Sequence, residues 1–133
     1  MLPTSACVVL IRYGKIAAIR SRKHNGAIEL PGGKSEPGEK PEETAIRECI
    51  EEVGVHPYLV RCLHVEEDDG HGYQCYVYLA RIHEGDLESG PEGEAVWVTP
   101  EELLTGTYAR ISAKWLSTIK DELGQWQDPQ VGD

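Results

Sequence analysis

At 133 residues and a formal net charge of −10, the chain has the length of one domain and is too acidic for general nucleic-acid binding, which needs a basic surface. Its 40% hydrophobic and 27% charged content is that of an ordinary soluble globular domain, and no apolar run approaches the length of a membrane span. The N-terminal residues lack the basic start of a secretory signal, which predicts a cytoplasmic protein without membrane or nucleic-acid partners. Cys7, Cys49, Cys62 and Cys75 form no CxxC pair and lie among apolar residues, so reduced core thiols are expected.

Residues 5–11 are rich in Val and Ile and predict a strand, Tyr13-Gly14 marks a turn, and residues 15–20 return as the second strand of a hairpin. The polar loop at 21–26 is basic in an acidic chain. Arg20, Arg22 and Lys23 there are candidates for meeting a substrate's phosphates, against the alternative of a solvated loop. Residues 27–30 read as extended, and Pro31 disfavours helix before it. Gly32-Gly33 predicts a tight turn with freedom for positive φ and for close approach of the backbone to a ligand.

Residues 41–53 are mostly good helix formers, and Gly54 supplies a stop, although Lys40 is a poor N-cap. Ile46, Cys49, Ile50 and Val53 follow the i, i+3, i+4, i+7 spacing of a buried stripe. Glu48, Glu51 and Glu52 fall on the opposite face, where their carboxylates are expected to converge.

Residues 58–66 predict a strand whose alternation is too irregular to assign an outward face. The acidic segment 66–72 lacks the EF-hand spacing and reads as a hairpin connection. Residues 73–82 form the strongest predicted strand, with Cys75, Val77 and Leu79 on one face and Tyr76 and Tyr78 on the other. The tyrosines could stack a base, although strand tyrosines are more often packing groups. A polar loop follows over 83–93, then a short strand over 95–98. Thr99-Pro100-Glu101-Glu102 is a capping box that opens a short helix to Leu104. A last helix is predicted over 109–123, its stripe carried by Ile111, Trp115, Ile119 and Leu123, with a flexible polar tail over 125–133. The fold class is therefore α+β or layered α/β, with one domain over 1–124. His24, His56, His64, His71 and His83 show no metal-ligand spacing and default to surface or core imidazoles.

Like charges within one helical turn repel by a few tenths of a kcal/mol or more per pair. A divalent cation bound by hard oxygen ligands is the natural offset for Glu48, Glu51 and Glu52. Gly33, then five residues, Glu39, then seven residues and the run Arg47-Glu48-Cys49-Ile50-Glu51-Glu52-Val53-Gly54-Val55 together resemble the signature of the Nudix hydrolases. Cys49 stands where an aliphatic residue is usual, and Ile28 where many members carry Trp.

The resemblance implies the Nudix fold, an α+β arrangement with a mixed sheet between helices and the signature as strand–loop–helix–loop. It implies Mg²⁺, or Mn²⁺, held principally by Glu48 and Glu52, with Glu51 a further ligand or water organiser and the Gly33 carbonyl in the shell. Arg47 would orient the glutamates, while Glu39 and Gly54 would hold the motif's structure. A general base would come from the signature, Glu51 or Glu52, or from a later loop, where Glu88, Glu92 and Glu94 are available and Glu92 is the chosen candidate. Tyr73 lies close to a tyrosine of the family's dinucleoside polyphosphate hydrolases, and His71 replaces the proline that often marks its ADP-ribose hydrolases. The implied activity is hydrolysis of a phosphoanhydride in a nucleoside diphosphate-linked substrate. A MutT-like cleavage of a (deoxy)nucleoside triphosphate to nucleoside monophosphate and pyrophosphate leads that reading. Dinucleoside polyphosphate or ADP-sugar hydrolysis is the alternative within it, and a non-catalytic nucleotide- or protein-binding module is the alternative outside it. Monomer and homodimer both remain open.

Overall fold

The computed structural model describes residues 2–82, 85–105 and 121. In chain order its elements are β1 (Thr4–Arg12), β2 (Lys15–Ser21), β3 (Ile28–Glu29), β4 (Gly32–Lys34), α1 (Pro41–Val53), β5 (Tyr58–Glu66), β6 (Gln74–Arg81), β7 (Gly93–Val98) and α2 (Pro100–Thr105). Tyr13 and Gly14, between β1 and β2, both have positive φ (54° and 73°), as the tightest hairpin turns require. The two strands pair only beside that turn, Ile11 opposite Ile16 and Arg12 opposite Lys15. Beyond it they part. β2 then pairs antiparallel with β3 and β7, while β1 pairs antiparallel with β4 and parallel with β6. β5 lies outside β6, antiparallel to it, so the sheet is mixed as expected.

Alternate residues of β1 and β6 feed two cores, one on each face. Val9, Ile11, Val77 and Leu79 pack with Ile16, Ile28 and Leu103 of α2, and Val8, Leu10, Tyr78 and Ala80 pack with Ala45, Cys49 and Val53 of α1. A strand covered on both faces reads as a nearly continuous apolar run, which is why residues 5–11 are so legible. β5 was hard to read because its pairing with β6 shifts register twice, between Leu59 and Arg61 and between Cys62 and His64. Each bulge reverses the inside–outside alternation. Beside the second bulge Cys62 is exposed, contrary to its expected place in the core.

Gly32 and Gly33 are not the expected turn. They form β4, antiparallel to β1, and neither has positive φ. What they supply is the absence of a side chain. A Cβ at Gly32 would stand 2.5 Å from the Ala6 carbonyl oxygen and 2.6 Å from Cys7 Cβ, and one at Gly33 would overlap the Glu48 carboxylate.

The helix α1 has the expected bounds and ends at Gly54, whose φ of 78° places it in the left-handed region. The Lys40 side chain does not cap the helix, but the Lys40 backbone N–H donates to Glu43 Oε1 at 2.8 Å. The expected stripe needs correction. Thr44, Ala45, Cys49 and Val53 are buried, Ile46 is half-buried, and Ile50 is 44% exposed. The buried face is turned by roughly 80°, most of one residue's step, from the one that Ile46 and Ile50 would define. Small Ala45 and Cys49 let the helix lie close to the sheet, and this turn carries Glu48 and Glu52 inward with them.

At α2, Glu102 N–H donates to Thr99 Oγ1 at 3.1 Å and Thr99 N–H to Glu102 Oε1 at 3.0 Å, the reciprocal pair expected of a capping box. The helix predicted over 109–123, apart from residue 121, the tail at 125–133 and His83 lie outside the described residues. Among the described residues no helix is long and apolar enough to cross a membrane.

Candidate active site

The Nudix-like segment converges on a cleft of about 400 Å³ between β4, α1 and the loop after β2, lined among others by Lys23, His24, Glu29, Gly32, Gly33, Lys34, Glu48, Glu52, Tyr73 and Glu92. A larger hollow of about 680 Å³, past the C-terminal end of α1, is lined by Val55, His56, Pro57, Tyr58, Asp86 and Glu88. It contains none of the signature carboxylates, so the smaller cleft is where the chemistry can occur.

Arg47 organises the cleft's edge. Its Nε donates to Glu39 Oε2 at 2.8 Å, and Nη2 donates to Glu39 Oε1 and the Lys34 carbonyl, both at 3.0 Å. Nη1 is shared between Glu48 Oε2 at 3.2 Å and Glu51 Oε1 at 3.1 Å. All five N–H directions of a guanidinium are thereby used, a fork that lysine cannot imitate. Hydrogen bonding from Arg47 holds the Glu39 carboxyl down to about 2. The Arg47 guanidinium is pushed above its ordinary value, chiefly by Glu39. Glu39 Oε1 also accepts from Glu36 N–H at 2.9 Å and the Thr44 hydroxyl at 2.8 Å, which fastens the loop to the helix.

Glu48 and Glu52 experience the opposite environment. Burial raises the Glu48 carboxyl, with Arg47 opposing. Glu52 Oε1 accepts from Gly32 N–H at 2.7 Å, yet burial, followed by the charges of Glu48, Glu92 and Glu29, pushes its carboxyl up to about 8. The charges that act most strongly on this carboxyl are negative, and a bound cation inverts that local balance.

The expectation of three convergent carboxylates holds for two. Glu51 is 55% exposed, is held by Arg47 and lies outside the cleft lining. It sits 100° around the helix from Glu52. Among the described residues no group of three His, Cys, Asp or Glu side chains is already arranged to hold a metal ion. Two carboxylates beside the Gly33 backbone nevertheless fit a hard divalent cation. Mg²⁺ in particular is commonly held by one or two carboxylates, with waters and substrate phosphates completing its shell.

The other predicted residues divide between the cleft and its supports. Lys23, Tyr73 and Glu92 line the cleft, and Lys34 Nζ lies 5.2 Å from the Tyr73 ring centroid. Arg20 faces Glu94 at 3.7 Å, and Arg22 donates to the Gly90 and Pro91 carbonyls at 3.0 and 2.9 Å; neither lines the cleft. Glu88 packs its Cβ against Gly54, a contact that leaves no room for a side chain there. Tyr76 and Tyr78 stack on each other with centroids 6.4 Å apart on the α1 side of the sheet, and Tyr78 donates to Glu42 at 3.0 Å, so they do not offer a base platform in the cleft. Sequence reading passed over Lys34 and the pair His24–Glu29, joined at 2.7 Å. Only the basic residue beside Gly33 hinted at the first. Nothing in a spacing of five residues across a loop signals the second.

The NUDIX domain family model matches residues 1–119. A MutT-like protein of Streptomyces ambofaciens is 35% identical over 74% of this chain, which spans 64% of that protein's length. A putative 8-oxo-dGTP diphosphatase of Bacillus subtilis is 29% identical over 77% of this chain and 70% of its own. The crystal structure of a NUDIX hydrolase from Nitrosomonas europaea superposes with a TM-score of 0.81 at 18% identity, covering 95% of this chain and 74% of that one, and shows the shared fold. With the family's domain across most of its length and Gly33, Glu48 and Glu52 gathered at one cleft, the chain belongs to the Nudix hydrolase family.

Proposed function

We propose that the chain is a divalent-cation-dependent pyrophosphohydrolase that cuts a phosphoanhydride in a nucleoside diphosphate-linked substrate. Its leading substrates are (deoxy)nucleoside triphosphates, released as nucleoside monophosphate and pyrophosphate. The observation that carries this reading is the half-buried Glu48–Glu52 pair opening onto a cleft that also presents Lys23, Lys34 and Tyr73. The relatives named as MutT-like and as an 8-oxo-dGTP diphosphatase support the substrate class.

Glu48 and Glu52 would hold Mg²⁺ or Mn²⁺ together with the Gly33 carbonyl. When bound, the cation supplies charge neutralisation on the phosphates and a more acidic water. Arg47 fixes the Glu48 carboxylate and, through Glu39 and the Lys34 carbonyl, ties helix to loop. Glu51, also on Arg47, steadies that guanidinium. Glu92, which lines the cleft, is the base candidate and would take a proton from the attacking water. Lys23 and Lys34 meet phosphate oxygens, and the Tyr73 ring offers a stacking face. Arg20 and Arg22 support the substrate by fixing the loop that carries Lys23. A cytoplasmic location goes with this reading, supported by cysteines that form no disulfide.

The test is pyrophosphate or phosphate release from dGTP, 8-oxo-dGTP, ADP-ribose and diadenosine polyphosphates, with Mg²⁺ and with Mn²⁺. Glu52→Gln should lower kcat by at least about a hundredfold in a folded protein. Failure of the parent to turn over any of these with either metal would refute the proposal.

A further inference from the structure

Arg22 does not line the cleft, and its side chain is engaged with the segment that leads into Glu92. Its Nη1 donates to the Gly90 carbonyl at 3.0 Å and to the Pro91 carbonyl at 2.9 Å. Its backbone N–H donates to the Glu92 carbonyl at 3.0 Å, one step past the ladder in which Ser21 faces Gly93. The consecutive carbonyls of Gly90, Pro91 and Glu92 thus all accept from one residue. Gly90 gives the chain conformational freedom just before Glu92, and these contacts remove it.

The same segment rests on α1 from the other side. Glu88 N–H donates to the Val53 carbonyl at 2.8 Å and satisfies one of the acceptors that a helix leaves open at its C-terminal end. A Cβ at Gly90 would stand 2.5 Å from the Glu51 carbonyl oxygen, so the chain passes directly against the helix backbone. Glu92 follows, lining the cleft and near enough to Glu52 for its charge to act on that carboxyl.

We propose that Arg22 is a positioning residue, whose guanidinium holds the Gly90 and Pro91 carbonyls in place and thereby fixes the Glu92 carboxylate in the cleft. This rests on the pyrophosphohydrolase reading, and it gives Arg22 a partner in the chain instead of a substrate phosphate. The contacts are open to solvent but charge-assisted, and they act on a group whose displacement by about 1 Å costs on the order of a hundredfold in rate.

Hydrogen exchange of the metal-free protein and steady-state kinetics with Mg²⁺, on the trial substrate that the parent cleaves fastest, test this. Arg22→Ala should speed exchange over residues 88–92 at least about threefold and leave the rest of α1 within about twofold. It should lower kcat about tenfold and keep KM within about twofold. Gly90→Ala, which displaces the segment from the helix side, should have the same effect, and Arg22→Lys, which keeps a charged donor, should recover most of the loss. Glu92→Gln alone should lower kcat on the order of a hundredfold, and adding Arg22→Ala to it should change kcat by less than about twofold, because the group that Arg22 positions is gone. A raised KM with kcat kept would assign Arg22 to the substrate's phosphates and overturn the proposal. Full additivity of the two substitutions, parent-like kcat in Glu92→Gln, or unchanged exchange over 88–92 would overturn it as well. Faster exchange in Arg22→Ala beside a parent that turns nothing over refutes the hydrolase reading alone, and unchanged exchange beside such a parent refutes both.

Discussion

Replacing Glu52 by Gln should make the metal-free protein more stable, and increasingly so as the pH rises. The Glu52 carboxyl is pushed up to about 8 in the fold, against an ordinary unfolded value near 4.5. Between these values the folded state binds a proton that the unfolded state has lost, so the contribution of Glu52 to stability is intact below about pH 4.5 and declines as the pH rises toward 8. At pH 7.5 a shift of that size corresponds to about 4 kcal/mol as a ceiling. Side-chain relaxation and water entry into an open cleft reduce it to about 2 kcal/mol. Gln keeps an oxygen for the Gly32 N–H and cannot ionise. For a domain of this length, about 2 kcal/mol corresponds to roughly 6–10 °C in Tm. Thermal unfolding in EDTA should therefore show Glu52→Gln melting above the parent at pH 8, with the gap closing by pH 5. Saturating Mg²⁺ should raise the parent's Tm and leave the variant's nearly unchanged, since only a ligand held by the folded state stabilises it. Parallel Tm–pH curves for the two proteins in EDTA would show that Glu52 is not under the electrostatic load described.

Three other outcomes follow from the same geometry. Gly33→Ala should displace the Glu48 carboxylate, since the added Cβ overlaps it, and lower kcat/KM at least about tenfold while Tm falls by less than 5 °C, measured by pyrophosphate release and thermal unfolding. Arg47→Lys should lose the fork to Glu39 and cost both activity and about 2–3 kcal/mol of stability in urea titrations, because one ammonium cannot replace five directed N–H groups. Glu39→Gln should remove an acid-sensitive element. The depressed Glu39 carboxyl contributes stability present above the ordinary value and lost as the pH falls from about 4.5 toward 2, so the variant's acid-unfolding curve should be flatter there than the parent's.

The signature residues announced the chemistry because each is needed for a reason visible in its type. Gly33 leaves space for a carboxylate, Arg47 has a fork, and Glu39 accepts from it. The helix's bounds were equally plain, since Pro41 and Gly54 mark them directly. Its rotation was not. A periodic pattern of large aliphatic residues pointed to Ile46 and Ile50, whereas the sheet receives the small residues Ala45 and Cys49, and this difference moves Glu48 and Glu52 from an exposed face into the cleft wall. β5 was obscured by two bulges, and His24–Glu29 by a contact across a loop that no spacing encodes.

The rotation itself can be tested without any substrate. Ile50→Ser at an exposed position should change stability by less than about 0.5 kcal/mol. Ala45→Leu adds methylene groups to a closed contact with the sheet and should cost about 1–3 kcal/mol. If the aliphatic stripe were the buried face, the order would reverse, with Ile50→Ser costing several kcal/mol and Ala45→Leu almost nothing. Glu48 and Glu52 would then lie outside the cleft, so this pair of urea titrations bears directly on whether the carboxylates occupy the place from which they can act.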